Sequence, residues 1–293
     1  MMFNFFRRLL VSPTIMMLPA SGSGSQAEES EWPEGYDPTH FDAFMSGWFQ
    51  DETNELLEGF PIAAEDTVLD VGCGEAPFIY FCALRGAEVI CADIDAEKVA
   101  FIEQSLRKTP ARAIRSIVSD ANPLPLPSET ATKIIAMEVL EHVDDPQQFM
   151  RELLRVGRPG AQYLITVPDR RSEMLQKELV PPVYFQKPNH VRIFERDEFE
   201  KLITDAGLII ERRAHYGFFW SIWWVMFWAC KHDLNAPWHP LLKQWMKTWD
   251  ILLHLPRGPS IKKIFDEFMP KSQAIIARKP TQHNRETISH GQS

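Results

Sequence analysis

Apolar positions along this chain gather into short runs, separated by turn residues and by stretches with helical spacing. Thr67 to Val71 is a brief apolar strand carrying Asp70, followed by Gly72-Cys73-Gly74. Pro77 suits a first helical position, Phe78 to Leu84 continues the helix, and Gly86 closes it. Glu88 to Ala92 reads as a second strand ending at Asp93, and Ala96 to Lys108 has helical spacing at Val99, Ile102 and Leu106. Ile114 to Val118 predicts a third strand ending near Asp120, and Lys133 to Met137 a fourth. Pro146 opens a helix through Arg155, Pro159-Gly160 reads as a turn, and Tyr163 to Val167 as a fifth strand. Asp197 to Ala206 predicts a helix stopped by Gly207, with Leu208 to Glu211 as a sixth strand and Ser272 to Arg278 as a seventh.

Strands and helices that alternate with short connections predict an α/β fold: a doubly wound, mostly parallel sheet covered on both faces. Such sheets bind ligands beyond the carboxyl ends of their strands, so Asp70, Asp93 and Asp120 fall on one rim.

Composition changes this picture at three places. Residues 1–30 are an apolar segment with the pair Arg7-Arg8 and a Ser/Gly linker, readable as a signal peptide, an amphipathic membrane foot or a frayed end. Tyr216 to Trp228 holds no charged residue, and Trp238, Trp245 and Trp249 follow, interleaved with Lys243 and Lys247. Between Lys231 and Lys279 nine basic residues face four acidic ones, although the whole chain carries −9. Indoles and lysines on one segment suit a lipid interface with anionic head groups, and equally suit a helical subdomain or homodimer contact that buries its aromatics. No stretch reaches the roughly 18 apolar residues of a confident membrane span. The acidic balance argues against a nucleic-acid partner. Cys73, Cys82, Cys91 and Cys230 have no metal-ligand spacing and read as small buried residues of a reducing, cytoplasmic compartment, the membrane reading being peripheral.

The turn at Gly72 to Gly74 narrows the ligand. A dinucleotide fingerprint needs a third glycine where this chain has Pro77, and no Lys-Ser or Lys-Thr pair completes a phosphate loop. Asp70 and Glu75 flank the turn; two carboxylates repel a pyrophosphate and favour a ligand that is positive there. Asp93 stands at a fitting distance for bonding a ribose hydroxyl pair.

The stretch from Val68 to Pro77 (Val-Leu-Asp-Val-Gly-Cys-Gly-Glu-Ala-Pro) resembles the first motif of class I S-adenosylmethionine-dependent methyltransferases. Val89 to Asp95 is similar to their acidic second-strand motif, and Ser119 to Pro125 to their adenine-side loop. Ala136 to Val143, with Arg158-Pro-Gly160 and the following strand, continues the order, so the resemblance runs from about Asp66 to Ala214. It implies a Rossmann-like sheet of seven strands with a helical, aromatic-rich insertion between the sixth and seventh. The methyltransferase domain would then be 31–215 with 272–280, the lid 216–271, and 281–293 a disordered tail. It further implies that Asp70, Gly72, Cys73 and Gly74 face the methionine portion of S-adenosylmethionine, Asp93 and Ile94 the ribose side, and Asp120 with Ala121 the adenine. Glu138 joins this cofactor set. Ala76 departs from the family's usual third glycine.

Methyl transfer from a sulfonium is largely a matter of positioning and water exclusion, with a general base needed only when the acceptor must lose a proton. The candidates are Glu138, His142 and His190, all on the ligand side. Met137 to Val143 looks like the ubiquinone-biosynthesis O-methyltransferases, in which the residues matching Glu138, Glu141 and His142 are associated with a divalent metal. Three functions remain open: methylation of an apolar or lipid-linked small molecule, metal-assisted O-methylation of a soluble or quinone-like phenol, and non-catalytic cofactor binding by an interaction protein.

Overall fold

The computed structural model describes residues 36–74, 77–231 and 239–281. The apolar segment 1–30, Glu75, Ala76, Trp238 and nearly all of the predicted tail lie outside the described residues.

The chain opens with a helix α1 (Pro38–Met45), capped by the Asp37 carboxylate, which accepts from the backbone N–H groups of Thr39 and His40. A small antiparallel sheet follows, β1 (Trp48–Gln50), β2 (Glu55–Leu57) and β3 (Phe60–Pro61). The strand pattern of the sequence does not announce it, because runs of two or three residues are too short to carry a period. Its Trp48, Phe49, Leu57 and Phe60 are buried against the first face of the main sheet.

The main sheet has seven strands: β4 (Thr67–Val71), β5 (Glu88–Asp93), β6 (Ala113–Val118), β7 (Ala131–Met137), β8 (Gly157–Pro168), β9 (Ile209–Tyr216) and β10 (Ser272–Arg278). Their spatial order is β6-β5-β4-β7-β8-β10-β9. The pairings among β6, β5, β4, β7 and β8 are parallel, and β10 runs antiparallel between β8 and β9. This is the expected doubly wound, mostly parallel sheet. Helices α2 (Pro77–Leu84), α3 (Ala96–Leu106), α4 (Pro146–Val156) and α6 (Arg196–Asp205) make the crossovers, with a short α5 (Arg170–Gln176) after β8. Helix α4 illustrates the rule: Pro146 begins it, Asp145 caps it, and Phe149, Met150, Leu153 and Val156 form the stripe that packs on the sheet.

Two strands are longer than their apolar runs. Pro159-Gly160 does not separate two elements; it lies inside β8, where the register against β7 shifts and Gly160 adopts φ +82°. The Gly160 N–H donates to the Lys279 carbonyl, so pairing continues across the irregularity. Strand β9 extends to Tyr216, past the expected end at Glu211. It is an edge strand, and Arg213 pairs with Glu200 while Arg278 of β10 pairs with Glu211. Charges that protect an exposed edge interrupt the apolar run by which a strand is recognised.

Between β9 and β10 stand three helices, α7 (Phe218–Ala229), α8 (Pro240–Leu253) and α9 (Gly258–Phe268). Phe218, Phe219, Trp220, Trp223, Trp224, Phe227 and Trp249 form a cluster of their own. Trp223 and Trp224 are 0% and 1% exposed, so of the two readings of these indoles the self-burying one describes them and the lipid-facing one does not. A helix that is apolar all round buries itself, and this one does so against α5, α8 and α9. One buried charge group registers the cluster. The Lys262 ammonium donates to Asp42 (2.9 Å) and Asp266 (2.7 Å), the Trp249 indole N–H donates to Asp42, and the Phe218 N–H donates to Asp266. It ties α1, α7, α8 and α9 together. No helix among the described residues is long and apolar enough to cross a membrane.

Two variants check this packing. Trp223→Ala should cost about 3–5 kcal/mol in urea unfolding, as for a large aromatic removed from a core. Lys262→Met, which leaves two buried carboxylates without their cation, should cost about 3–5 kcal/mol.

Candidate functional site

The site begins where β4 ends. Asp70 is fully buried in that strand, and the chain then turns through Gly72, with φ +71°. A Cβ on Gly72 would lie 2.5 Å from Val139 Cγ2, so glycine is required by both backbone and space. The turn is held from below by β5: the N–H groups of Gly72 and Cys73 donate to the Ala92 carbonyl. The Gly74 N–H donates to Asp93 Oδ2 (2.9 Å), and the Asp95 N–H donates to Asp93 Oδ1 (3.0 Å). Asp93 is thus a buried carboxylate fixed at the end of β5, with lone pairs left for a ligand. Beside it Ile94 is 74% exposed, an apolar side chain standing on an open rim. After β6, Ala121 is buried with φ +62° and Asp120 is exposed, its carboxylate accepting from the Asn122 N–H (3.0 Å). The expected cofactor residues therefore share one edge of the sheet. A glycine that tolerates no Cβ, a fixed carboxylate and an apolar rim residue fit a nucleoside with a cationic amino-acid tail.

A second group stands at the ends of β7 and β8. Glu138 has φ +52°, and its N–H donates to the Thr166 carbonyl (3.1 Å). Its carboxylate accepts from the Thr166 hydroxyl (3.0 Å) and lies 3.5 Å from the Lys271 ammonium. Glu141 is fully buried, and neither carboxylate oxygen has a hydrogen-bond partner. Burial, then the negative charge of Glu138, hold its carboxyl well above the usual range. His142 Nδ1–H donates to the Pro188 carbonyl (3.0 Å), and its Nε2 lies 3.7 Å from Glu141. Burial and then the nearby His190 push the His142 imidazole down to about 4, so it is neutral at pH 7. His190 Nδ1 bonds Glu173 (2.9 Å), which also accepts from the Tyr184 hydroxyl (3.3 Å). Burial raises the Glu173 carboxyl, but His190 and its other partners outweigh it and hold Glu173 below its ordinary value.

The sequence groups Glu138, Glu141 and His142 as metal ligands; the structure groups differently. Glu141, His142 and His190 bring ligand atoms within 4.8 Å of one another, while Glu138 is held by Thr166 and Lys271. The reason is the left-handed turn at Glu138, which separates it from Glu141, whereas the loop after β8 delivers His190. The donor set fits a divalent cation: the Glu141 oxygens lack partners, and each imidazole is oriented through Nδ1, the arrangement of metal-binding histidines. Lys271, Glu173, Thr166, Tyr184 and Tyr216 escaped sequence reasoning. They come from five separate segments, and only the tertiary fold collects them.

A family model described as a methyltransferase domain matches residues 69–165. A probable S-adenosylmethionine-dependent methyltransferase of Mycobacterium tuberculosis is 29% identical over 164 residues, 55% of this chain and 56% of that protein. The chain thus spans about half the length of this relative. A ubiquinone biosynthesis O-methyltransferase of Rhizobium etli is 28% identical over 202 residues, 64% of this chain and 81% of its own. Among solved structures, the [4+2]-cyclase SpnF shares the fold with TM-score 0.56 at 18% identity, covering 96% of this chain and 95% of that one. Residues 69–165, which span the glycine turn, β5 and the Glu138 to His142 stretch, thus match a methyltransferase domain and are similar to S-adenosylmethionine-dependent relatives.

Proposed function

We propose that this protein transfers the methyl group of S-adenosylmethionine to an apolar or lipid-linked small molecule. The observation that carries the reading is the group of Glu138, Glu141, His142 and His190, buried or half-buried, which stands on the same sheet rim as the Gly72 turn, beside the aromatic insertion.

When bound, S-adenosylmethionine supplies a methyl group on an electron-poor sulfonium. The chain's own contribution is to hold and enclose. Asp93 bonds the ribose side, and the acidic rim at Asp70 and Glu138 favours the cationic end of the cofactor. The insertion helices cover the rim and exclude water, which strengthens every charge interaction beneath them. The neutral His142 ring supplies a proton-accepting nitrogen near Glu141 and His190. A quinone-like phenol is a suitable acceptor, as the name of the Rhizobium etli relative suggests.

A second reading, metal-assisted O-methylation, is favoured by the partnerless oxygens of Glu141 between two oriented imidazoles. Glu141, His142 and His190 would hold a divalent ion, which would make a coordinated phenol more acidic. For membrane contact the supporting residues are Ile251, Leu255, Ile264 and Phe268, each at least half exposed and near Arg257 and Lys263, in place of the buried indoles.

Calorimetry tests the cofactor. S-adenosylmethionine or its demethylated product should bind and NAD should not. Asp93→Ala, which strands the Gly74 and Asp95 N–H groups, should weaken binding by about 1–3 kcal/mol. Tight NAD binding would overturn the reading.

Turnover is tested with labelled cofactor and a cell extract, followed by mass spectrometry of the products. A labelled apolar product is expected. If the metal reading holds, chelation abolishes labelling, added divalent ion restores it, and His142→Ala abolishes it permanently. Labelling indifferent to both treatments would remove the metal from the mechanism.

A further inference from the structure

Three indoles of the insertion donate to ordinary acceptors. Trp245 donates to the Phe219 carbonyl (3.0 Å), Trp249 to Asp42 (2.8 Å) and Trp228 to Gln176 (3.2 Å). Trp220 differs: it is 4% exposed and its Nε1–H meets no acceptor. A donor buried in this way calls for an explanation, and a ligand is one.

The position of Trp220 supplies that explanation. It lies in the first turn of α7, which starts from Gly217 in the left-handed region, φ +84°. A Cβ placed on Gly217 would lie 3.1 Å from Lys271 Cβ and 3.7 Å from Trp220 Cδ1. Cδ1 adjoins Nε1 in the indole ring, so the N–H edge of Trp220 and the stem of Lys271 pack against the same point. Lys271 is itself buried, at 4% exposure, and its ammonium reaches toward Glu138 on the rim. Both groups donate and neither accepts. A ligand between them must bring an acceptor atom, and the ammonium favours one with negative charge. The rings against Trp220, Phe219 (centroids 4.8 Å apart) and Trp223 (5.7 Å), are buried.

We propose that Trp220 and Lys271 form a binding site for an anionic oxygen, a carboxylate or phenolate, on an apolar acceptor molecule. This rests on the reading of the rim as a methyl-transfer site and specifies its acceptor: an amphiphile whose charged end is read by the two ends of the insertion. The ammonium has three donors, so it serves the ligand while keeping its contact with Glu138. The same chemistry is available from the carboxylate of the cofactor, and the experiment separates the two sources.

The full chain, labelled with nitrogen-15 in its indoles, is titrated with S-adenosylhomocysteine, then with octanoate or 1-octanol as probes. Octanoate should bind at least about tenfold more tightly than octanol, the range of a hydrogen bond to a charged group. It should also shift one indole N–H resonance, identified as Trp220 by its loss in Trp220→Phe. Trp220→Phe and Lys271→Met should each abolish most of that preference, and Lys271→Arg should keep it. Equal affinity for the two probes, no binding of either, or a preference that survives Trp220→Phe would overturn the proposal. So would a Trp220 shift caused by S-adenosylhomocysteine alone and unmoved by octanoate, since the cofactor's carboxylate would then be the ligand. Should Lys271→Met fail to fold, the wild-type Trp220 resonance still decides. Failure of S-adenosylhomocysteine to bind would instead count against the methyltransferase reading, and octanoate titration of the free chain would judge this site separately.

Discussion

The direction of β10 organises everything above the sheet rim. Because this strand runs antiparallel between β8 and β9, the chain must leave the sheet and return to it at the same end. The joint is a backbone hydrogen bond, Lys271 N–H to the Tyr216 carbonyl (2.9 Å), that closes the insertion at its base. The Lys271 carbonyl in turn accepts from the Asp169 N–H, fixing the start of α5, and Asp169 pairs with Arg196 at the start of α6. One strand thus sets the lid, the loop bearing His190, and the buried lysine beside Glu138. Reversal of β10 would deliver the insertion to the opposite edge of the sheet, away from the glycine turn.

Two buried charge groups in the molecule behave differently, and the contrast separates stability from function. Around Lys262 the partners are close and complete: two carboxylates, an indole N–H and a backbone N–H. Such a saturated group specifies how helices meet. Around Glu141 the groups are oriented but incomplete, with carboxylate oxygens lacking donors. Burial answers part of the charge problem by raising the Glu141 carboxyl above its usual range and keeping His142 neutral. The remainder is left for a ligand, as incomplete buried polar groups commonly are at working sites.

What the sequence by itself determined was local. Short apolar runs punctuated by Gly and Pro located each strand of the large sheet, since a strand buried on both faces needs little beyond apolarity and a turn at each end. The strand ends at Asp70, Asp93 and Asp120, and the turn at Gly72, were legible for the same reason, because one steric demand acts on adjacent residues. Tertiary structure decided whatever depends on partners distant in the chain. Whether Trp223 and Trp224 face lipid or one another is a question of which helices pack, and composition is the same in both cases. Glu138 parted from Glu141 through one left-handed turn, and His190 arrived from a loop some fifty residues on. Lys271 follows the insertion and reaches the rim only because β10 runs antiparallel, a long-range pairing that no local pattern encodes.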